Sequence, residues 1–331
     1  MKHVFTLTLL LTVLTLNAQD SSETTDAPVK KFTFGGSVDA YYRTNFTAPN
    51  DENQIAPSTS FADTAGFSLG MANIIAAYEK GKVGAVADLV FGPRGEAASA
   101  TVLNQLYAYY NVSEKVKLTI GKFNTFLGYE VISPTGNFNY STSYLFSNGP
   151  FSHTGLKADF TLSEDVSLML GVFNQTDVTE FNPDGSYAVG AQLGYRSQFL
   201  NLLYDKAGLG FEVDYTGGFD ATEDFYVGIN AAYTDNEGEG FYGVNIYPQY
   251  STSESLTIGL RGEFFQTQSD FVSDDPSVFA ITLTGSYVID EDLIIKPEFR
   301  LDSGSEDIFI DTDLMATKSL GSFVLAAIYK F

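Results

Sequence analysis

The chain has no cysteine, no tryptophan and only two histidines in 331 residues. Without cysteine there is no disulfide framework, no thiolate metal ligand and no sulfur nucleophile. His3 lies at the extreme amino terminus, which leaves His153 without a second His or Cys to build a zinc site. A barrel enzyme would pair that histidine with a serine, asparagine or aspartate. Ser152 precedes His153, but adjacent residues of a strand point to opposite faces, so His153 reads as a structural rim residue. The inventory predicts no enzyme, no metal and no cofactor.

Long apolar runs are missing too. Val4 to Leu16, preceded by Lys2, is mostly apolar but broken by threonines, and it falls short of the ~20 residues a spanning helix needs. With the small residue Ala18 after Leu16-Asn17, residues 1–18 read as a secretory signal peptide. A polar, flexible periplasmic leader is expected over 19–30 and the folded body over 31–331. Loss of Lys2 with the signal takes the formal charge from −23 to −24. Such acidity argues against nucleic acid, which wants basic patches. The mean hydropathy is near zero. That excludes a helical membrane bundle but suits a transmembrane barrel, in which half of every strand is polar. Helices and closed barrels are the only backbone solutions in lipid. Gly238-Glu-Gly-Phe-Tyr-Gly243 formally matches a dinucleotide fingerprint, but a strand rather than a helix follows it.

Present in abundance are aromatics, 28 Phe and 20 Tyr, and they alternate. Phe323, Leu325, Ala327, Tyr329 and Phe331 share one face, as do Phe32, Phe34, Val38, Ala40 and Tyr42. The pattern recurs at 83–91, 156–162, 187–196, 225–234, 256–264 and 293–302, always with polar or charged residues opposite. No helical period competes with it. Five connections, of which Leu162-Ser-Glu-Asp-Val166 and Ile289-Asp-Glu-Asp-Leu293 are two, set short polar turns between apolar strands. Longer loops alternate with them, at 48–65, 92–100, 129–152, 176–186, 235–240, 268–277 and 303–319. Short turns at one end and long loops at the other are the asymmetry of an outer-membrane barrel.

The expected fold is therefore all-β: a transmembrane antiparallel up-and-down barrel of about 16 strands, with short periplasmic turns and long extracellular loops. Fourteen to eighteen strands fit, because those at 199–205 and 209–219 are short and Ile308–Ile310 could extend the last hairpin. The segment Phe67–Tyr78 changes parity midway, which predicts a bulge.

The middle of the chain resembles the OmpL-like β-barrel porin family of Bacteroidetes-type bacteria. Gly121-Lys122-Phe123, Gly128-Tyr129-Glu130, Asn137-Phe138-Asn139-Tyr140-Ser141, Tyr144-Leu145-Phe146 and His153-Thr154-Gly155 carry the likeness, together with the opening Gly36–Tyr42. Phe173-Asn174-Gln175 departs from it where members often carry Asn-Gly, at a loop boundary. The resemblance implies an outer-membrane pore and supplies no catalytic residues. A porin-like channel for passive diffusion of small hydrophilic solutes is thus expected, the alternative being a closed barrel acting as a structural or partner-binding scaffold. Outer-membrane lipid, lipopolysaccharide and the barrel assembly machinery are the expected partners. Phe331, with Tyr329, is the expected assembly signal.

In-phase counting puts Arg43, Lys117, Lys157, Arg196, Arg261, Lys296, Arg300 and Lys330 on the lumen face, against Asp39, Asp88, Asp159, Glu212, Asp214, Glu263, Glu298 and Asp302. These are the pore-lining candidates, Lys330 apart. Opposite charges paired across strands would set up a transverse field and selectivity. Changing Lys296 and Arg300 together to Ala should then move the reversal potential toward cations. The longest loop, Tyr129–Ser152, is either an infolded constriction, as the third long loop is in general porins, or an external lid. Lys122 and Glu130 at its start would face outward by simple parity, so a bulge or a place above the lipid band is required.

Overall fold

The structure, a computed structural model, describes residues 30–59, 61–99, 101–182, 185–270 and 275–331. The signal peptide and the leader fall on residues outside the described ones, apart from Lys30, which already opens the first strand.

Strands β1 (Lys30–Asn45), β2 (Gly66–Lys80), β3 (Val83–Phe91), β4 (Leu103–Ser113), β5 (Val116–Asn124), β6 (Ser152–Thr161), β7 (Val166–Phe173) and β8 (Ala188–Tyr195) form half of one sheet. Strands β9 (Gln198–Asp205), β10 (Gly210–Asp220), β11 (Phe225–Asp235), β12 (Glu239–Ser251), β13 (Leu256–Ser269), β14 (Ser277–Ile289) and β15 (Leu293–Gly304) continue it. The last barrel strand is β18 (Ser319–Lys330), which pairs with β15 on one side and β1 on the other, so the sheet closes with 16 antiparallel strands. Beyond β18, Phe331 exchanges backbone hydrogen bonds with Gly36 at 2.9 and 3.0 Å. Closure leaves no open edge to lose hydrogen bonds in lipid. The Ile308–Ile310 segment does not enter the barrel. Its strand β16 (Phe309–Ile310) pairs with β17 (Ala316–Thr317) as a small hairpin within the last loop.

The burial is inverted relative to a globular core. On β15, Lys296, Glu298, Arg300 and Asp302 are buried, whereas Phe299 and Leu301 are 51% and 53% exposed. Period-2 alternation sends one set to the lumen and the other to lipid. The anticipated bulge is present. Val38 pairs with Ala72 but Ala40 with Leu69, so Gly70 and Met71 together oppose Asp39. The Met71 N–H freed from the ladder donates to the Asp39 carboxylate at 3.0 Å, which satisfies it inside the wall.

β5 ends at Asn124. The chain turns inward there. The Thr125 N–H donates to the Phe151 carbonyl at 3.0 Å, closing the neck of the longest loop, and Gly128 takes a left-handed φ of +81° within it.

Candidate functional site

The segment between β5 and β6 folds into the barrel and binds the wall, as the constriction reading requires. Its middle carries a short helix, α2 (Tyr144–Asn148), whose N-cap Ser143 accepts from the Phe146 N–H at 3.1 Å. A run without regular structure leaves many backbone groups unpaired, and in a dry interior each must find a partner. The charged residues of the opposite wall supply them.

The route can be followed residue by residue. The Gly128 N–H donates to Asp214 at 3.0 Å, and the Tyr129 ring stacks on Tyr247 with centroids 4.4 Å apart. Glu130 accepts from Arg261 at 2.8 Å and from the Ser143 N–H at 2.7 Å. Lys296 donates to the carbonyls of Pro134, at 3.1 Å, and Asn137. The amide of Asn139 donates to Thr284 at 2.7 Å. Glu298 accepts the N–H groups of Tyr140 and Ser141 at 2.9 and 3.2 Å, and the Tyr140 hydroxyl donates to Asp39 at 2.5 Å. Arg261 also donates to the Ser141 and Thr142 carbonyls at 2.7 and 3.1 Å. Arg300 reaches the Thr142 carbonyl at 2.8 Å. The Tyr144 N–H donates to Glu263, and its hydroxyl to Asp302 at 3.2 Å. Carboxylates thus take the loop's N–H groups and cations take its carbonyls. Hydrogen bonds with one charged partner are worth ~1.5–3 kcal/mol each, about twice the neutral kind.

The expected lumen residues divide into groups. Asp39, Asp214, Arg261, Glu263, Lys296, Glu298, Arg300 and Asp302 are buried beneath the loop they hold. Arg43 anchors the first long loop instead, through the Ala62 carbonyl and the Asn45 side chain, both at 2.8 Å. Asp88 is buried among the amides of Asn73, Asn104 and Gln105. Glu212 is buried beside Asp214 on β10. Lys117, Lys157 and Asp159 differ. Lys117 is exposed, and the Lys157 and Asp159 side chains, paired at 3.1 Å, are 24% and 35% accessible. The ammonium groups of Lys117 and Lys157 rest 5.1 Å over the Tyr109 ring and 5.3 Å over the Phe123 ring, respectively. Lys330 is half-buried at the end of β18.

Arg196 is not on the wall. It occupies the β8–β9 turn with a left-handed φ of +54° and bonds Asp165 at 3.2 Å in solvent. In-phase counting fails there because the strand has already ended. Charge pairing also differs from the cross-strand expectation. Among the described residues, Lys157–Asp159, Arg261–Glu263 and Arg300–Asp302 pair two residues apart on one strand, and a further interior ion pair joins Arg261 to Glu130 of the loop.

Sequence reasoning missed Arg94, on the short helix α1 (Pro93–Ser99) after β3. Its guanidinium donates to the carbonyls of Ile132 and Tyr140 at 3.0 and 3.2 Å and sits about 5 Å from the rings of Phe61 and Tyr140. Lys122 keeps its outward parity yet is buried, because α1 and the start of β4 cover it. Its ammonium donates to the Leu103 carbonyl at 2.9 Å and the Ser99 hydroxyl at 3.3 Å. Glu130 is off the strand altogether. His153 is buried between Phe126 and Phe173, with Nε2 3.0 Å from the Thr125 hydroxyl. Burial raises the Tyr140 phenol above its ordinary range, opposed by Arg94 and reinforced by Asp39, so it stays a donor. Desolvation does the same for Tyr129 and Tyr144.

The barrel fold matches those of solved outer-membrane channels. The outer-membrane channel DcaP of Acinetobacter baumannii matches with a TM-score of 0.64 at 14% identity, over 91% of this chain and 97% of that one. An anion-selective porin from Comamonas acidovorans matches at 0.62 and 9% identity, over 92% and 100%. Salmonella typhi OmpF, solved in complex with daunomycin, matches at 0.62 and 11% identity, over 91% and 98%. At these identities the likeness is one of fold. No curated protein matches the sequence. The model of a family described as "Putative beta-barrel porin-2, OmpL-like" matches residues 31–331, the whole barrel with its infolded loop, and the chain belongs to that family of outer-membrane barrels.

Proposed function

We propose that this barrel is a porin-like channel through which small hydrophilic solutes diffuse passively, along a passage confined by the 125–151 loop to one side of the lumen. One observation carries the reading. The loop seals the inner wall of β12–β15 and β1, whereas Lys117, Lys157 and Asp159 on β5 and β6 stay open to water. An open pocket of ≈540 Å³ lies where the first long loop (Ala56, Pro57, Ser58, Asp63) meets Ala97 of α1 and Ser147 and Phe151 of the infolded loop. Reconstituted in planar bilayers, the mature chain should conduct ions. Absence of conductance across a range of voltages and protein concentrations would overturn the reading.

The alternative, a closed scaffold barrel, draws on the number of bonds that hold the loop. A liposome-swelling series with sugars of rising size separates the two, since only a channel admits the smaller ones. No catalysis belongs to this reading. His153 is enclosed by aromatic rings, and Ser152 bonds Asp177 at 3.2 Å instead. Residues 1–18 act as the export signal. Phe331 and Tyr329 engage the barrel assembly machinery, and the acidic outer loops meet lipopolysaccharide, where divalent cations would bridge the like charges.

A further inference from the structure

Exposed charge at both ends of the barrel is mostly acidic, but the periplasmic end differs around its own rim. Most periplasmic turns are acidic: Glu164 and Asp165, Glu223 and Asp224, Glu254, and Asp290 to Asp292. The β1–β2–β3 corner is basic. Lys30 and Lys80 are directly opposite in the ladder, and Lys82 follows Lys80 across Gly81, whose φ of +63° makes the turn.

Their orientation sets them apart. Lys30 shares the face of Phe32, and Lys80 the face of Tyr78, by the alternation of the strands. Phe32 and Tyr78 are 59% and 44% exposed on the lipid side, and the Val83–Tyr110 pair beside them is similarly bare. On the inner face the neighbouring pair, Lys31 opposite Glu79, is complementary. On the outer face it is not. Lys30, Lys80 and Lys82 are all exposed, and none is in an ion pair among the described residues. Lys82 rests its ammonium 3.3 Å from the Val112 carbonyl. Like charges directly opposite on an antiparallel pair destabilise it, and a bound anion between them removes the repulsion. Aromatic girdles mark the level where hydrocarbon meets headgroups. The anion at that level is a lipid phosphate.

We infer that Lys30, Lys80 and Lys82 form a binding site for an anionic phospholipid of the periplasmic leaflet. The phosphate lies between Lys30 and Lys80, and the acyl chains lie along Phe32, Tyr78, Val83 and Tyr110. The acidic turns elsewhere repel the same headgroup, so anionic lipid concentrates at this corner of the barrel.

Native mass spectrometry of the full mature protein, taken from bilayers of equal dioleoyl phosphatidylglycerol and dioleoyl phosphatidylcholine, tests it. The wild type should retain the glycerol lipid in preference. K30Q/K80Q/K82Q should lose that preference by up to roughly fivefold per lysine. K206Q/K318Q, at the loop end, should keep it. Heat-resistant gel mobility checks the fold of each variant, and conductance should be the same in all three, which separates this site from the channel. Equal retention of both lipids by the wild type, or an unchanged preference in the triple variant, would overturn the site. So would displacement of the lipid by glycerol phosphate at the same concentration, which would reduce it to a soluble-anion site.

Discussion

Arg261→Met asks whether the loop is held in the lumen by charge. The guanidinium is fully buried and joins three parties: Glu130 of the loop at 2.8 Å, the Ser141 and Thr142 carbonyls at 2.7 and 3.1 Å, and Glu263 of its own strand at 3.6 Å. Methionine keeps much of the length and none of the charge. Two carboxylates then remain buried without their cation, and removing one partner of a buried pair costs ~3–5 kcal/mol. Thr142 retains Arg300 at 2.8 Å and Glu130 retains the Ser143 N–H at 2.7 Å, so the loop is weakened rather than stripped. The ladder through Arg261 pairs backbone with Thr282 on β14 and does not depend on the side chain. The cost therefore falls on docking of the loop. At 1.4 kcal/mol per tenfold it shifts docked against undocked loop by roughly 10²–10⁴. In planar bilayers R261M should give larger and noisier current steps than the wild type. Protease added to the folded barrel should cleave within 125–151, while heat-resistant mobility persists. A folded R261M barrel with unaltered step size, noise and protease resistance would refute the argument that ionic contacts hold the constriction.

Other consequences are as direct. K117Q/K157Q should move the reversal potential in a salt gradient toward cations, because these lysines are on the open wall; Lys296→Ala with Arg300→Ala should instead raise current noise, since both side chains are occupied by the loop. An unmoved potential in the first pair would place the passage elsewhere. The absence of native cysteine makes N139C/T284C a clean reporter: a short bis-methanethiosulfonate should link loop to wall in outer membranes through two disulfides, with methanesulfinate leaving, and failure to link would place the loop outside the lumen. Deleting Phe331 removes about 2 kcal/mol of apolar burial, too little to unfold a finished barrel, so surface yield should drop sharply while refolded protein keeps its heat-resistant mobility; normal surface levels would refute its role as a signal. Spectrophotometric titration should leave Tyr129, Tyr140 and Tyr144 protonated as pH rises past the ordinary phenol value of about 10. Raised in the folded state, these groups support the docked loop below that pH and release it only in stronger alkali, so early ionisation of all three would show an undocked loop.

The wall was legible because its rule is local. Lys296, Glu298, Arg300 and Asp302 alternate with Ile295, Pro297, Phe299 and Leu301, and parity alone sends the first set inward. The same rule pointed to a bulge within Phe67–Tyr78, since an added residue flips every side chain beyond it, and the ladder places it at Gly70 and Met71. The rule failed at Arg196, where the turn begins; at Lys122 the outward parity holds, and what parity could not show is that α1 and β4 cover its ammonium.

The occupants of the lumen obey no period, so parity could show which charges enter it but not what they meet there. Counting eight cations against eight anions on the inner face suggested a neutral wall with pairs facing one another across strands. A β-barrel this wide has an interior that wall side chains cannot fill. Buried charges without partners are costly, so something must either hydrate or cover them. On β12–β15 the cover is backbone, with Glu298 and Glu263 taking N–H groups of Tyr140, Ser141 and Tyr144 while Lys296 and Arg300 take carbonyls. The sequence signal for this was present in the other half of the bargain. A loop rich in Tyr, Phe, Asn and Ser offers polar groups and flat rings together, and its polar share is suited to a charged wall. Matching the polar loop to the charged strands, instead of the charged strands to one another, would have placed it inside.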